Sequence, residues 1–572
     1  MKIRLKYIFA MAAAMIAVSC GYLDFDETQN QRTKDEMYST FANVKNMLTH
    51  IYSYMPQPAV FASTTSADLL SLNDCASDDG EFGAVGATIQ NVNNGNWSAV
   101  NTYNTAWDLY YGIRAANGFL AELKNVDLSR FENVGVNYKM WLDQLQYFEY
   151  EARVLRAYYF FELARRYGDI AMPLTVLSID EANTIGKTPF NEVIEFIVSE
   201  CDECAPKLPV DFEADVIQGE AGHVTRGFAM AVKSKALLYA ASELHNPSME
   251  TELWRRSAAA ARDIIDLGIY SLDPAGCFNK TKSPELVLAR MNTASNTMEL
   301  YNFPLLYVEG NRSASTVAYG NYPSQNLVDA FETVNGYKVT LNAGGWECAD
   351  PEFDPQNPYS NRDPRFARTI LANGMDFKGR KIAVYSGGTD DALTAQGGTP
   401  TGYYMHKFIV DDTSFTAEQT STYRHHWVVY RYAETLLTYA ESMLNAFGSG
   451  TTVNSEFPMS ALEALNLVRE NAGMPAVADG SKEELMARIQ NEWRVEFAFE
   501  DHRFWDVRRW KLGADTQTNL YGVYITRAAD GHLTFTRSLC ETRSWRDCMY
   551  LYPIPQAELF KNNNLYPQNQ GW

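Results

Sequence analysis

The chain has 572 residues, 46% of them hydrophobic and 21% charged, which is ample apolar material for a packed core and excludes a disordered or fibrous protein. Lys and Arg number 49 against 70 Asp and Glu. The resulting net charge of −21 disfavours nucleic acid, whose phosphates such a surface repels, and adhesion to anionic lipid.

Lys2, Arg4 and Lys6 precede a thirteen-residue apolar run from Tyr7 to Ser19, and then Cys20. A helix of that length reaches only about 20 Å against a hydrocarbon core of about 30 Å, so residues 1–19 are expected to be an export signal, not a span. Two helices are expected at 34–54 and 105–123. From Leu145 to Tyr167, apolar side chains at Phe148, Ala152, Leu155, Tyr159 and Leu163 lay one stripe along a third helix. Glu149 with Arg153 and Glu162 with Arg166 form i,i+4 pairs expected on its solvated flanks. Gly168, Asp169 and Pro173 end it.

The same pattern returns at 189–204, 226–245, 252–267, 427–446, 461–471 and 483–499. Helix pairs recurring at about 34 to 40 residues predict a predominantly α protein, an α-α superhelix of tetratricopeptide-like pairs. Between 273 and 421, Gly, Pro, Asn and Tyr replace the periodic runs, which predicts an irregular, loop-rich insertion region of the kind that carries function. The expected organisation is the signal at 1–19, a helical region at 20–272 and a second region at 273–572, the last two forming one integrated unit.

Seven cysteines follow Cys20, an odd number that excludes complete intramolecular pairing. Cys201 and Cys204 form a CxxC without a second CxxC or paired His to complete a zinc site, so they read as helix-packing thiols. Walker, GxGxxG, GxSxG and HExxH motifs are absent from the sequence. Glu434 and Glu441 stand seven apart on one helix face, about 10 Å along the axis, and point the same way, so they are not placed to flank a glycosidic bond. Glu500, Asp501, His502 and Arg503 lie between Phe497, Phe499, Phe504, Trp505 and Trp510 and read as a core cluster of stacked and paired guanidinium groups. No cofactor and no catalytic or metal-ligating residue is expected, and a structural Ca²⁺ is left open. Trp, Tyr and Phe make up 13% of the chain, and rigid amphipathic rings beside carboxylates and amides suit a pyranose, which is apolar on one face and hydroxylated at its edge.

Several segments resemble known proteins. Ala17-Val18-Ser19-Cys20 resembles a lipobox, with Ala where Leu is usual, which implies acylation at Cys20. Asp24, Asp26 and Glu27 resemble the surface-export signal of Bacteroidetes lipoproteins. The segments 151–169, 431–441, 464–469, 494–510, 551–555 and 566–572 are similar, in order, to blocks of the SusD/RagB family. Asp501 departs from it where Gly is common. The resemblance implies a lipid-anchored outer-membrane protein at the cell surface of a Bacteroidetes-type bacterium. It would capture oligosaccharides without catalysis and pass them to a SusC-like TonB-dependent barrel. Alternatives are a surface glycoside hydrolase or lyase and a peptide-binding RagB-type subunit.

Relatives place a ligand-stacking ring in the stretch around Trp97, making Trp97 with Asn96 the first candidate contacts. Trp346, behind Gly344 and Gly345, is the second platform, with Tyr301 and Tyr322 in the same irregular block. Asp68 is a candidate hydroxyl acceptor. Asp74, Asp78 and Asp79 read as a solvated acidic loop, and Trp107 reads as core.

Overall fold

A computed structural model describes residues 34–62, 70–135, 137–211, 221–308, 319–391 and 398–572. The export signal, Cys20 and Asp68 lie outside them.

Helix α1 (Phe41–Tyr52) starts at Thr40, whose side chain accepts from the Asn43 N–H, and buries Phe41, Val44, Leu48 and Ile51. Then follow α2 (Leu109–Leu123), α3 (Tyr138–Tyr167), α4 (Phe190–Cys204), α5 (Arg226–Ala241) and α6 (Thr251–Asp266), each packed on its predecessor. Small residues allow the close approach: Ala229, Ala236, Ala258 and Ala261 are buried at these contacts. Cys201 and Cys204 are buried free thiols on α4.

After the insertion, α7 (Tyr432–Phe447) seats directly on α6 and resumes the stack. Gly448 ends α7 in the left-handed region at φ 73°. α8 (Ala461–Asn471) and α9 (Lys482–Glu496) follow, each opened by a capping box, Ser460 with Glu463 and Ser481 with Glu484. α10 (Arg503–Arg509) follows the turn 497–502. The fold is thus the expected α-α superhelix, interrupted by a loop-rich block.

That block holds two-stranded antiparallel ribbons instead of a continuous sheet. β1 (Leu286–Arg290) pairs with β4 (Trp427–Arg431), and β2 (Val339–Asn342) with β3 (Gly345–Cys348). A longer hairpin of β5 (Asn519–Arg527) and β6 (Leu533–Thr542) lies near the C-terminus. Three expectations are corrected. Residues 427–431 are a strand, because Trp-Val-Val-Tyr-Arg meets a partner in Leu286–Arg290 and β-branched and aromatic side chains fit a half-buried ribbon. Glu162 and Arg166 are buried, not solvated. Asp74, Asp78 and Asp79 are buried too, because Arg494 and Arg503 pair with Asp78 and Asp79, and the N–H groups of Phe499 and Asp501 donate to Asp74.

The insertion is fastened to the stack by a buried chain of alternating charges. Arg431, at the β4–α7 junction, bonds Glu285 at 2.6 Å, Glu496 at 2.7 Å and Glu500 at 2.8 Å, with its guanidinium 4.0 Å from the Phe497 ring centroid. Arg365 links Glu496 (2.7 Å) to Glu492 (2.5 Å), and Arg469 links Glu492 (3.0 Å) to Glu332 (2.9 Å). Burial raises the Glu496 pKa, but Arg431 and Arg365 outweigh it and hold the carboxyl at about 2, below the usual 4.5.

Arg431→Met leaves three carboxylates without their common partner and is expected to cost about 3–5 kcal/mol in denaturant unfolding. A depressed carboxyl pKa stabilises the fold above the unfolded value, and the gain is lost as pH falls from about 4.5 to 2. The stability gap between the protein and Glu496→Gln should therefore be about 3 kcal/mol at neutral pH and shrink toward pH 2 in paired melts. A gap independent of pH would refute the assignment.

Candidate functional site

A cavity of about 610 Å³ lies where the end of α1, the segment leading into α2, the C-terminal part of α3 and the β4–α7 junction meet the turn 497–502. This size is ordinary for a small-molecule site. Most of its buried charged lining is paired. Glu162 of α3 holds Arg165 at 2.7 Å and Arg166 at 2.8 Å, and Glu434 of α7 holds Lys235 of α5 at 2.9 Å with His502 at 3.5 Å. Asp501 accepts from the Trp505 indole N–H at 3.2 Å and lies 3.7 Å from Arg165. Burial raises the Glu434 pKa, but Lys235 and His502 bring it down to about 2, and Glu162 is likewise lowered against burial by its two arginines. Both carboxylates are therefore charged at neutral pH and do not donate protons there.

Rings and amides complete the lining. Tyr54 is half-buried, Asn104 is exposed, and Tyr103 is buried with its hydroxyl donating to Asn73 Oδ1 at 2.5 Å. Asn104, Ala106 and Asp501 line the cavity with φ of 40°, 50° and 64°, and Phe499 in the same turn has φ of 61°. Left-handed backbone costs a non-glycine residue about 1–2 kcal/mol. Asp74 pins the turn by accepting from the N–H of Phe499 at 3.0 Å and of Asp501 at 3.1 Å. The φ of Asp501 explains why Gly suits this position in the resembling family.

None of the aromatic residues predicted from sequence lines this cavity. Trp97 is a correction: it is 1% exposed, edge-on to Tyr552 (centroids 4.6 Å) and Trp572 (5.0 Å), so it offers no stacking face. Its neighbour Asn96 is exposed, its N–H donating to Asn94 Oδ1 at 3.0 Å. Tyr301 is nearly buried, 6.2 Å from Tyr319, and Tyr322 is buried in a short strand, edge-on to Tyr404 at 5.9 Å. Trp346 is half-buried on β3, penned by Tyr359 at 5.8 Å and Phe535 at 5.9 Å. Trp107 is half-buried against Tyr167.

The sequence reading missed Tyr54 and Trp427, which line the cavity from segments assigned to helices. The strand-like Trp-Val-Val-Tyr run was the signal for Trp427, whereas an Ala at positive φ leaves no trace in sequence. Glu441 is structural: it takes both Nη groups of Arg509 (2.5 and 2.9 Å) and the Trp510 indole N–H (2.7 Å). Among the described residues, no group of three or more His, Cys, Asp or Glu side chains is placed to hold a metal, and no helix is long and apolar enough to cross a membrane.

Comparisons with known proteins agree along the whole length. SusD-like protein P2 of Formosa agariphila is 24% identical over 551 residues, 94% of each chain. A solved SusD-like protein from Bacteroides fragilis superposes with a TM-score of 0.73 at 24% identity, over 94% of this chain and 99% of its own. A SusD-like carbohydrate-binding protein from the same species gives 0.70 at 22% identity, over 93% and 100%. A laminarin-binding SusD-like protein gives 0.57 at 20% identity, over 94% and 100%. A family model described as starch-binding and associating with the outer membrane matches residues 21–238. With the SusD family model itself matching residues 284–572, just over half of the sequence, the chain belongs to the SusD family.

Proposed function

We propose that this protein captures an oligosaccharide at the outer surface of the outer membrane, anchored through acylated Cys20, and hands it unaltered to a SusC-like TonB-dependent barrel. The observation that carries the reading is the cavity. It is roomy, lined by rings and by hydrogen-bonding groups, most of its buried charges are already paired, and its best-placed carboxylates are held ionised. Glycoside hydrolysis needs one carboxyl kept protonated to donate to the leaving oxygen, and neither Glu434 nor Glu162 meets that need. The relatives named for carbohydrate or laminarin binding support the ligand class, and the outer-membrane description of the N-terminal family supports the location.

Calorimetry against a panel of oligosaccharides, with peptides as the control, is expected to give saturable binding to a glycan and none to peptides. Tyr54→Ala, which removes a half-buried ring from the cavity, should weaken that binding about tenfold while leaving the melting temperature within a few degrees. Sugar released by the purified protein, and lost in Glu434→Gln, would overturn the non-catalytic reading. Separately, Cys20→Ser is expected to abolish labelling by radioactive palmitate and to move the protein from the membrane fraction to the soluble one. Unchanged membrane retention would refute the anchor.

A further inference from the structure

The cations lining the cavity differ in one respect. Arg165 and Arg166 share Glu162, Lys235 and His502 share Glu434, and Arg431 holds Glu500. Arg290, at the end of β1, has no acidic side chain within ion-pair distance among the described residues. Two of its nitrogens donate to backbone carbonyls, Nη1 to Met55 and Nη2 to Ser53, the latter at 3.0 Å. Ser53 is the C-cap of α1 and Met55 lies in the turn that follows, so both carbonyls stand at or just past the negative end of that helix. A helix C-terminus supplies about half an elementary charge, which leaves the rest of the guanidinium charge uncompensated in a half-buried setting. Of its five N–H groups, two have an acceptor among the described residues, both of them backbone carbonyls.

The neighbours of Arg290 fit a sugar. Directly opposite it in the ribbon stands Trp427, which lines the same cavity. The Trp427 ring is itself buried against Phe61 (centroids 5.0 Å), so it forms the floor beneath this corner of the cavity and leaves the Arg290 head group at the surface of the space. Tyr54, between the two residues whose carbonyls Arg290 grips, is half-buried and supplies a ring at the cavity wall. A planar fork beside the half-buried Tyr54 ring is suited to a saccharide bearing a carboxylate or a sulfate ester, because the fork takes two oxygens of the anion while the ring meets the sugar. The net charge of −21 does not oppose this inside the cavity: at physiological salt the field of remote surface charges fades over about 8 Å, and the remaining cavity cations are already matched.

We propose that Arg290 is the specificity-determining anchor for an acidic group on the captured glycan. This rests on the capture reading above and narrows it to uronate-bearing or sulfated oligosaccharides.

The test uses the mature protein and matched pairs of polysaccharides in affinity gels and calorimetry: uronate-containing chains with their carboxyl-reduced forms, and sulfated chains with their desulfated forms. The acidic member of at least one pair should bind ten- to a hundredfold more tightly than its neutral counterpart, and which pair responds tells carboxylate from sulfate. Arg290→Gln should erase that preference while leaving residual affinity for the neutral form. Arg290→Lys retains a cation at the α1 terminus but lacks the fork, so it should keep the melting temperature and lose most of the preference. Equal binding of acidic and neutral members by the unmodified protein overturns the inference and leaves glycan capture standing. Binding to no glycan in the panel overturns both.

Discussion

The Arg431 guanidinium is the interaction on which the rest of the structure depends. A helical stack can bury its own stripes, but a long block of loops and two-stranded ribbons has too little regular structure to hold itself to that stack by apolar contact alone. Arg431 stands where the insertion returns to the helices. It binds carboxylates from three places at once: Glu285 beside β1, Glu496 at the end of α9 and Glu500 in the turn beyond. Arg365 and Arg469 continue the chain into the insertion through Glu492 and Glu332. Buried ion pairs of this kind add little net stability over apolar substitutes, because desolvation offsets the Coulomb gain. Their contribution is selectivity: a displaced register would leave several buried charges unmatched, at several kcal/mol each. The chain of charges therefore fixes where the insertion sits, and with it the walls of the cavity.

Much of this architecture was legible in the sequence. The helices at 226–245, 252–267 and 461–471 were visible because a stripe at spacings of three and four, closed by Gly or opened by Ser, is a local signal. In the Glu500–Arg503 cluster, Glu500 and Arg503 are held in buried ion pairs with Arg431 and Asp78, as expected of a core cluster, while Asp501 and His502 also line the cavity. What escaped detection was long-range. Whether Asp78 is solvated depends on Arg494 and Arg503, more than 400 positions away, and nothing near Asp78 announces them. Trp97 failed for the same reason: its burial is supplied by Tyr552 and Trp572, at the far end of the chain. The cavity itself is assembled from segments scattered between residues 53 and 502, so no window of sequence contains it.

The cavity persists for a physical reason that also constrains its ligand. Collapse would strip the remaining water from the pairs Glu162–Arg165 and Glu434–Lys235, which are already largely buried, and any imperfectly matched charge there is costly. Left open, the lining is satisfied by its own pairs and by water. The left-handed residues at 104, 106, 499 and 501 hold the walls in a shape the backbone does not favour locally, and Asp74 fixes one of those turns from outside. A ligand entering such a space has to replace the hydrogen bonds of the water it displaces, which a hydroxyl-rich molecule does almost one for one and an apolar molecule does not. Preformed walls mean that little ordering entropy is lost on binding, and paired charges mean that the lining does not have to rearrange. The half-buried ring of Tyr54 then adds the apolar contact that water lacks. Polarity keeps the site open, and the few rings among the polar groups select a saccharide over the water it replaces.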